Sequence, residues 1–254
     1  MYRQIAEDLR HQIETGALQP GQQLRTEIEL RDHYDASRNT VRDAIKWLTN
    51  LGLVETRPGQ GTFVVQKIDP FVTTLTGDPR TGWGGGEGAS YLSEVTQRDR
   101  KPTVSPLQVE IQEASDDMTT TLGIPKGAEV ISRHERRFID GIPWSIQTSY
   151  YPMEFADRGA ERLTRVSNIA EGAVEYLADA LHIRQAGYRD RITVRAPNPA
   201  ETDFFKLPSD GRVPVYEITR TAYEGNGQPM RLTVTVCPAD RNQFLLEIGA
   251  VPVP

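Results

Sequence analysis

Apolar positions recur every fourth residue at the start of the chain. Ile5, Leu9 and Ile13 fall on one face of a helix predicted over Tyr2–Thr15, with Gly16 as its stop and Pro20-Gly21 as the turn that follows. A second helix opens at Thr26. Thr26 and Glu29 stand at the spacing of a capping box, and Ile28 and Leu30 point towards a core. After a short turn at Asp35-Ala36 a third helix runs from Ser37 to about Asn50, with Val41, Ala44, Ile45 and Leu48 as its apolar face. Ser37 is placed to accept a hydrogen bond from a free N–H of the first turn. Arg38, Asn39 and Arg42 project from the first turns of that helix. Alternation then replaces the helical period. Leu53–Thr56 and Thr62–Val65 read as strands around Arg57-Pro58-Gly59-Gln60-Gly61. Three helices followed by a two-stranded hairpin is the order of a winged helix-turn-helix. A third helix with arginine and asparagine at its tip and a buried back has what a major-groove reader needs.

The pattern breaks between Gln66 and Ala89, a stretch with Pro70, Pro79 and six glycines, Gly77, Gly82, Gly84, Gly85, Gly86 and Gly88. It reads as a flexible linker, although Phe71, Val72, Leu75 and Trp83 predict that parts of it dock on a domain. Beyond it, strand-like runs dominate: Leu107–Glu113, Glu129–Ile139, Trp144–Tyr151, Asp190–Arg195, Val215–Tyr223 and Met230–Cys237. Helical patterns at Ala170–Leu181 and Pro199–Phe205 interrupt them, which predicts an α+β domain on an antiparallel sheet. Two runs echo each other. Asp140-Gly141-Ile142-Pro143 is a turn before a strand ending at Pro152. Glu224-Gly225-Asn226-Gly227-Gln228-Pro229 is a turn before a strand ending at Pro238, with the same proline-to-proline spacing. A sheet of two related halves follows from that. The predicted organisation is a DNA-binding domain over 1–65, a linker over 66–89 and a second domain over 90–254.

Charge changes the picture of the head. The net charge of the chain is −6, and residues 1–65 hold eight Lys/Arg against nine Asp/Glu. DNA binding must therefore come from where the charges sit, with acids away from the binding face. Cys237 is the single cysteine, so neither an intrachain disulfide nor a cysteine-based zinc site is expected. His134 and His182 have no metal-like partners near them in sequence, and no metal or cofactor is predicted. No apolar run approaches the ~20 residues that cross a bilayer, and the amphipathic start gives no secretory segment. A cytoplasmic protein is expected, nucleoid-associated when on DNA.

Tyr2–Val64 resembles the winged-helix domain of the GntR family of bacterial repressors. The resemblance is carried by Tyr2-x-Gln4-Ile5-Ala6, Gly16-x-Leu18-x-Pro20-Gly21, Leu24-x-Thr26-Glu27-x-Glu29-Leu30, Ser37-Arg38-x-Thr40-Val41-Arg42-x-Ala44, Leu51-Gly52-Leu53-Val54 and Gly59-x-Gly61-Thr62-Phe63-Val64. The second domain, over about Tyr91–Gly249, looks like the UTRA ligand-binding domain of the HutC subfamily, a fold similar to chorismate lyase. Here the carriers are Arg137-x-x-Asp140-Gly141-x-Pro143, Tyr150-x-Pro152 and Asp240-Arg241-x-x-Phe244.

The resemblance implies a homodimer on near-palindromic double-stranded operator DNA, with a small-molecule effector that releases it. It makes the Ser37 helix the recognition helix. Arg38 and Arg42 become guanine readers or close phosphate partners, suited to this by the planar guanidinium fork. Asn39 and Thr40 share the helix tip, Lys46 lies one turn on towards phosphate, and Gly59 sits at the wing tip. Arg57, Gln60, Gly61 and Thr62 on the wing, with Thr26 and Ser37 at the helix starts, complete the DNA-facing set. Where the family often has a DNA-contacting arginine this chain has Ile28, and Arg25 stands three residues earlier to take over the charge.

For the effector, Arg133, Glu135 and Arg137 alternate on one strand and share a face. The resemblance adds Ser93, Gln147, Tyr150 and Arg220 by strand position. One of two family arginines is replaced by Glu135, a family glutamate corresponds to Gln147, and a family serine and tyrosine become Gly172 and Val174. Phosphate needs several converging donors, and their loss argues against a sugar phosphate. Trp144 and Tyr151 are expected in a core or an interface. Two other function classes stand beside this one: a chorismate-lyase-like enzyme with a DNA-binding attachment, for which no catalytic constellation emerges, and an architectural DNA-binding protein without a ligand.

Overall fold

Capping residues set the helix starts of the N-terminal unit. The structure is a computed structural model and describes residues 1–65, 69–75, 95–208 and 210–246. Helix α1 covers Tyr2–Glu14 and buries Ile5, Ala6 and Leu9. Helix α2 covers Glu27–Tyr34. Thr26 and Glu29 close a reciprocal capping box at its start, and Asp35 ends it in the left-handed conformation. Helix α3 covers Arg38–Asn50, with the Ser37 side chain accepting from the Thr40 N–H and with Val41, Ala44 and Leu48 buried. Strands β1 (Val54–Arg57) and β2 (Gly61–Val64) form an antiparallel hairpin, and Gln23 makes a single bridge to Phe63. Ile5, Leu9, Leu24, Leu30, Val41, Leu48, Val54 and Val64 close one core. This is the winged helix-turn-helix.

The chain divides into Met1–Asp69 and Pro70–Pro254. The segment read as a linker is in part a strand of the second unit: β3 (Phe71–Leu75) pairs in parallel with the late strand β11 (Asn242–Leu246). Phe71 is buried there, and its backbone N–H donates to the Arg241 carbonyl. The glycine-rich part of that segment lies outside the described residues.

The second unit is built on a seven-stranded antiparallel sheet. Its strands are β4 (Pro102–Val104), β5 (Gln108–Glu113), β6 (Glu129–Ile139), β7 (Ile142–Pro152), β8 (Gln185–Arg195), β9 (Val215–Glu224) and β10 (Pro229–Pro238). The order is β4-β6-β7-β10-β9-β8, with β5 also on β6. Asp140 and Gly141 both have positive φ, 53° and 77°, as a two-residue hairpin turn between β6 and β7 requires. The echoed hairpins β6–β7 and β9–β10 meet along β7 and β10. Thr148 and Val234, each five positions past its hairpin's first proline, are direct partners. An approximate two-fold axis passes through that pair, so the repeat seen in sequence is a repeat in space.

Alternation gives the sheet two different faces. One packs Val130, Tyr150 and Leu232 against α4 (Asp116–Leu122), and Ile146, Val215, Val234 and Val236 against α7 (Pro199–Phe205). The other packs Ile131, Tyr151, Ala222 and Met230 against α5 (Glu154–Asp157), a 3-10 turn at Glu161–Thr164 and α6 (Ala173–Leu181). Trp144 and Tyr151 are both buried.

Candidate nucleic-acid interface and effector site

Arg38 and Arg42 project from the first two turns of α3, with side chains 64% and 54% exposed. They meet at one carboxylate. Glu27, the first residue of α2, accepts from Nε of Arg38 at 3.1 Å and from Nε of Arg42 at 3.0 and 3.1 Å. The hydrogen bond from Arg38, with Arg42 behind it and burial opposing, holds the Glu27 carboxyl below its ordinary pKa. Sequence reading missed Glu27; the signal was its place at the first turn of a capped helix, beside Thr26. The side chain of Thr26 is occupied in the capping box, and the Ser37 and Thr40 hydroxyls lie 2.8 Å apart at the start of α3. Asn39, Lys46 and Arg25 are exposed. Leu30 is buried as expected, but Ile28, expected to point towards the core, is 59% exposed, because residues two apart on a helix face different ways.

The wing is a constrained loop. Gly59 has φ +72° and Gly61 φ +119°, and a Cβ on Gly61 would run into the side-chain amide of Gln23. That amide donates to the Gln60 carbonyl at 2.8 Å and ties the wing tip to the segment before α2. Thr62 pairs its hydroxyl with that of Thr56 at 3.2 Å. Arg57 is engaged locally, with Glu55 at 2.6 Å and its guanidinium 4.4 Å from the centre of the Phe63 ring.

On the sheet, cross-strand register lines up Arg133, Ser149, Thr233, Arg220 and Asp190 on one rung, and Glu135, Gln147 and Thr235 on the next. Arg133, Glu135, Arg137, Gln147 and Arg220 thus share a face. Tyr150 does not. It points to the opposite side and packs near Leu122, Val130 and Leu232, because adjacent strand residues face opposite ways. Ser93 lies outside the described residues.

The charges of this face already have partners. Arg137 is held by Glu135, with Nε at 2.6 Å. Arg220 makes two 2.7 Å bonds to Asp190 across β8 and β9 and stacks 3.8 Å from the Tyr188 ring centre. Arg133 donates to main-chain carbonyls, Leu163 at 2.6 Å, Arg165 at 3.1 Å and Ser167 at 2.8 Å. Burial pushes its pKa down. Arg133 therefore clamps the 163–167 segment to β6. Neutral groups fill the middle: the Ser149 and Thr233 hydroxyls lie 3.1 Å apart, and Thr235 donates to Gln147 Oε1 at 3.3 Å. Gly172 caps α6, and Val174 lies in its first turn.

A winged helix with two exposed arginines at the tip of its third helix, joined in one chain to an antiparallel α+β sheet unit, defines a DNA-binding regulator. Residues 1–64 match the gntR family of bacterial regulatory proteins, and residues 97–243 match the UTRA domain. The chain belongs to the GntR family, carries a UTRA domain, and is a transcription regulator and not an enzyme. It is 25% identical to the HTH-type transcriptional repressor NagR of Bacillus subtilis, over 96% of this chain and 93% of the relative. It is 24% identical to the HTH-type transcriptional regulator GgaR of Escherichia coli K12, over 97% and 90%. Among solved structures it is similar to PhnF from Mycobacterium smegmatis, with a TM-score of 0.59, 19% identity and coverage of 97% and 100%, a likeness of fold.

Proposed function

We propose that this regulator is a repressor that holds a near-palindromic operator as a homodimer and is released when a small molecule binds the UTRA domain. Two-fold symmetry in the protein would mirror the two half-sites, with one α3 in each of two major grooves. The observation that carries the DNA reading is the exposure of Arg38 and Arg42 together at one helix tip. Asn39, Thr40, Lys46 and the wing supply the surrounding contacts in this reading. A duplex recovered from a random library by the full chain is the probe. Arg38→Ala with Arg42→Ala should weaken fluorescence-anisotropy binding to it by at least ~30-fold, since each bidentate arginine–guanine pair is worth roughly 1–3 kcal/mol. Native affinity in the double variant would remove α3 as the reading helix.

The effector, in this reading, binds the face that carries Gln147, Ser149 and Thr233, and is polar and uncharged. Arg137 and Arg220 there are paired with Glu135 and Asp190, and Arg133 directs its donors to backbone carbonyls, so these donors are engaged within the fold instead of converging on a phosphate. Release of DNA by the effector implies that operator DNA weakens effector binding by the same factor.

A further inference from the structure

Glu27 is an acid in the middle of a surface meant for a polyanion. It lies on α2, while both arginines it touches lie on α3. Each of the three side chains starts from a helix turn whose position is fixed by a cap, the Thr26–Glu29 box for α2 and Ser37 for α3. One carboxylate, 34% exposed, takes both guanidinium groups, and both donate through Nε. Among the described residues the terminal nitrogens of Arg38 and Arg42 make no hydrogen bond, so the fork of each remains for a base edge. A phosphate accepts an arginine from many directions, whereas the O6/N7 edge of guanine accepts a narrow set. A residue selected only for affinity here would be neutral or basic, because a carboxylate beside DNA lowers binding to any sequence. We infer that Glu27 is a positioning residue: it aims Arg38 and Arg42 together and converts general DNA attraction into sequence discrimination. The inference rests on α3 being the reading helix.

The alternative is an ordinary surface ion pair, which contributes little to anything. The two separate in a binding experiment on the full chain. The probes are a duplex selected from a random library by the native protein and a scrambled duplex of the same composition. Glu27→Gln keeps the size and loses the charge. It should bind the scrambled duplex as tightly as native or more tightly, while the ratio of selected to scrambled affinity falls about ten-fold. The slope of log affinity against log salt on the selected duplex should steepen by about 0.9, one extra phosphate contact. In an Arg38→Ala plus Arg42→Ala background the same change should leave the ratio alone, because its effect runs through those arginines. A native ratio in Glu27→Gln overturns the proposal. So does an equal loss on both duplexes with a lowered melting temperature, which is a folding defect. If the native chain itself enriches no sequence, the reading of α3 falls first and the role of Glu27 falls with it.

Discussion

His134 sits where β6 meets β7, opposite Thr148, with its Nδ1 2.9 Å from the threonine hydroxyl. Burial, with Arg136 adding to it and Glu110 and Glu135 opposing, pushes its pKa below the ordinary value. The folded state thus prefers the neutral ring. Between the lowered folded value and the unfolded one, near 6.5, the unfolded chain binds more protons, so stability rises with pH there. The His134 contribution is complete above the unfolded value and is lost as pH falls through the folded one. Urea midpoints measured at about pH 7.5 and about pH 5 should fall less in His134→Gln than in the native chain. Equal falls in the two proteins would show that His134 does not carry that part of the dependence. Arg136 and Glu135 stand beside His134 in sequence, but its burial and its contacts with Thr148 and Glu110 arise only through strand register.

At the scale of elements, Arg133 joins a strand to a segment thirty residues away. Replacing it with methionine keeps most of the stem and leaves the carbonyls of Leu163, Arg165 and Ser167 without their donor. The sheet unit should lose about 2–4 kcal/mol on urea unfolding, with faster amide exchange across 161–169, since buried polar groups stripped of partners are costly. Unchanged exchange there would return Arg133 to the list of ligand contacts. Elements whose cause is local were legible. The β6–β7 hairpin shows in its alternation and its Asp140-Gly141 turn, and the Thr26 and Ser37 caps announce α2 and α3. Helix α4 was missed because Asp-Asp-Met-Thr-Thr-Thr forms helix poorly; the Ser115 cap, the left-handed Gly123 and the burial of Leu122 carry it. The pairing of β3 with β11 was invisible for another reason: its partners are far apart in sequence, and parallel pairing leaves no turn to read. Separation in sequence also hid the link from Glu27 to Arg38 and Arg42. The placement of Tyr150 was legible: it stands three residues from Gln147 on one strand, and alternation puts the two on opposite faces.

The whole molecule carries its two tasks in two units, each with its own core. Leu48 and Val41 close the head against Ile5 and Leu30, whereas Leu163, Leu177 and Tyr151 close one side of the sheet unit. The head has almost balanced charge, so what it offers DNA is placement of a few cations on capped helix starts, and that placement depends on its own core. Leu48 is fully buried. Leu48→Ala should cost the head about 3 kcal/mol through lost contacts and a cavity, while the transition of the sheet unit stays where it is. Calorimetry of the full chain would separate the two events. Operator affinity should fall in step with the folded fraction of the head, and effector binding measured without DNA should not change. A single transition that moves as one in Leu48→Ala would mean that the units fold as one cooperative body. An effector would then act on the stability of the head. Two independent transitions leave a different route, in which the effector changes where intact heads are held on DNA, a coupling free energy between sites with no unfolding in it.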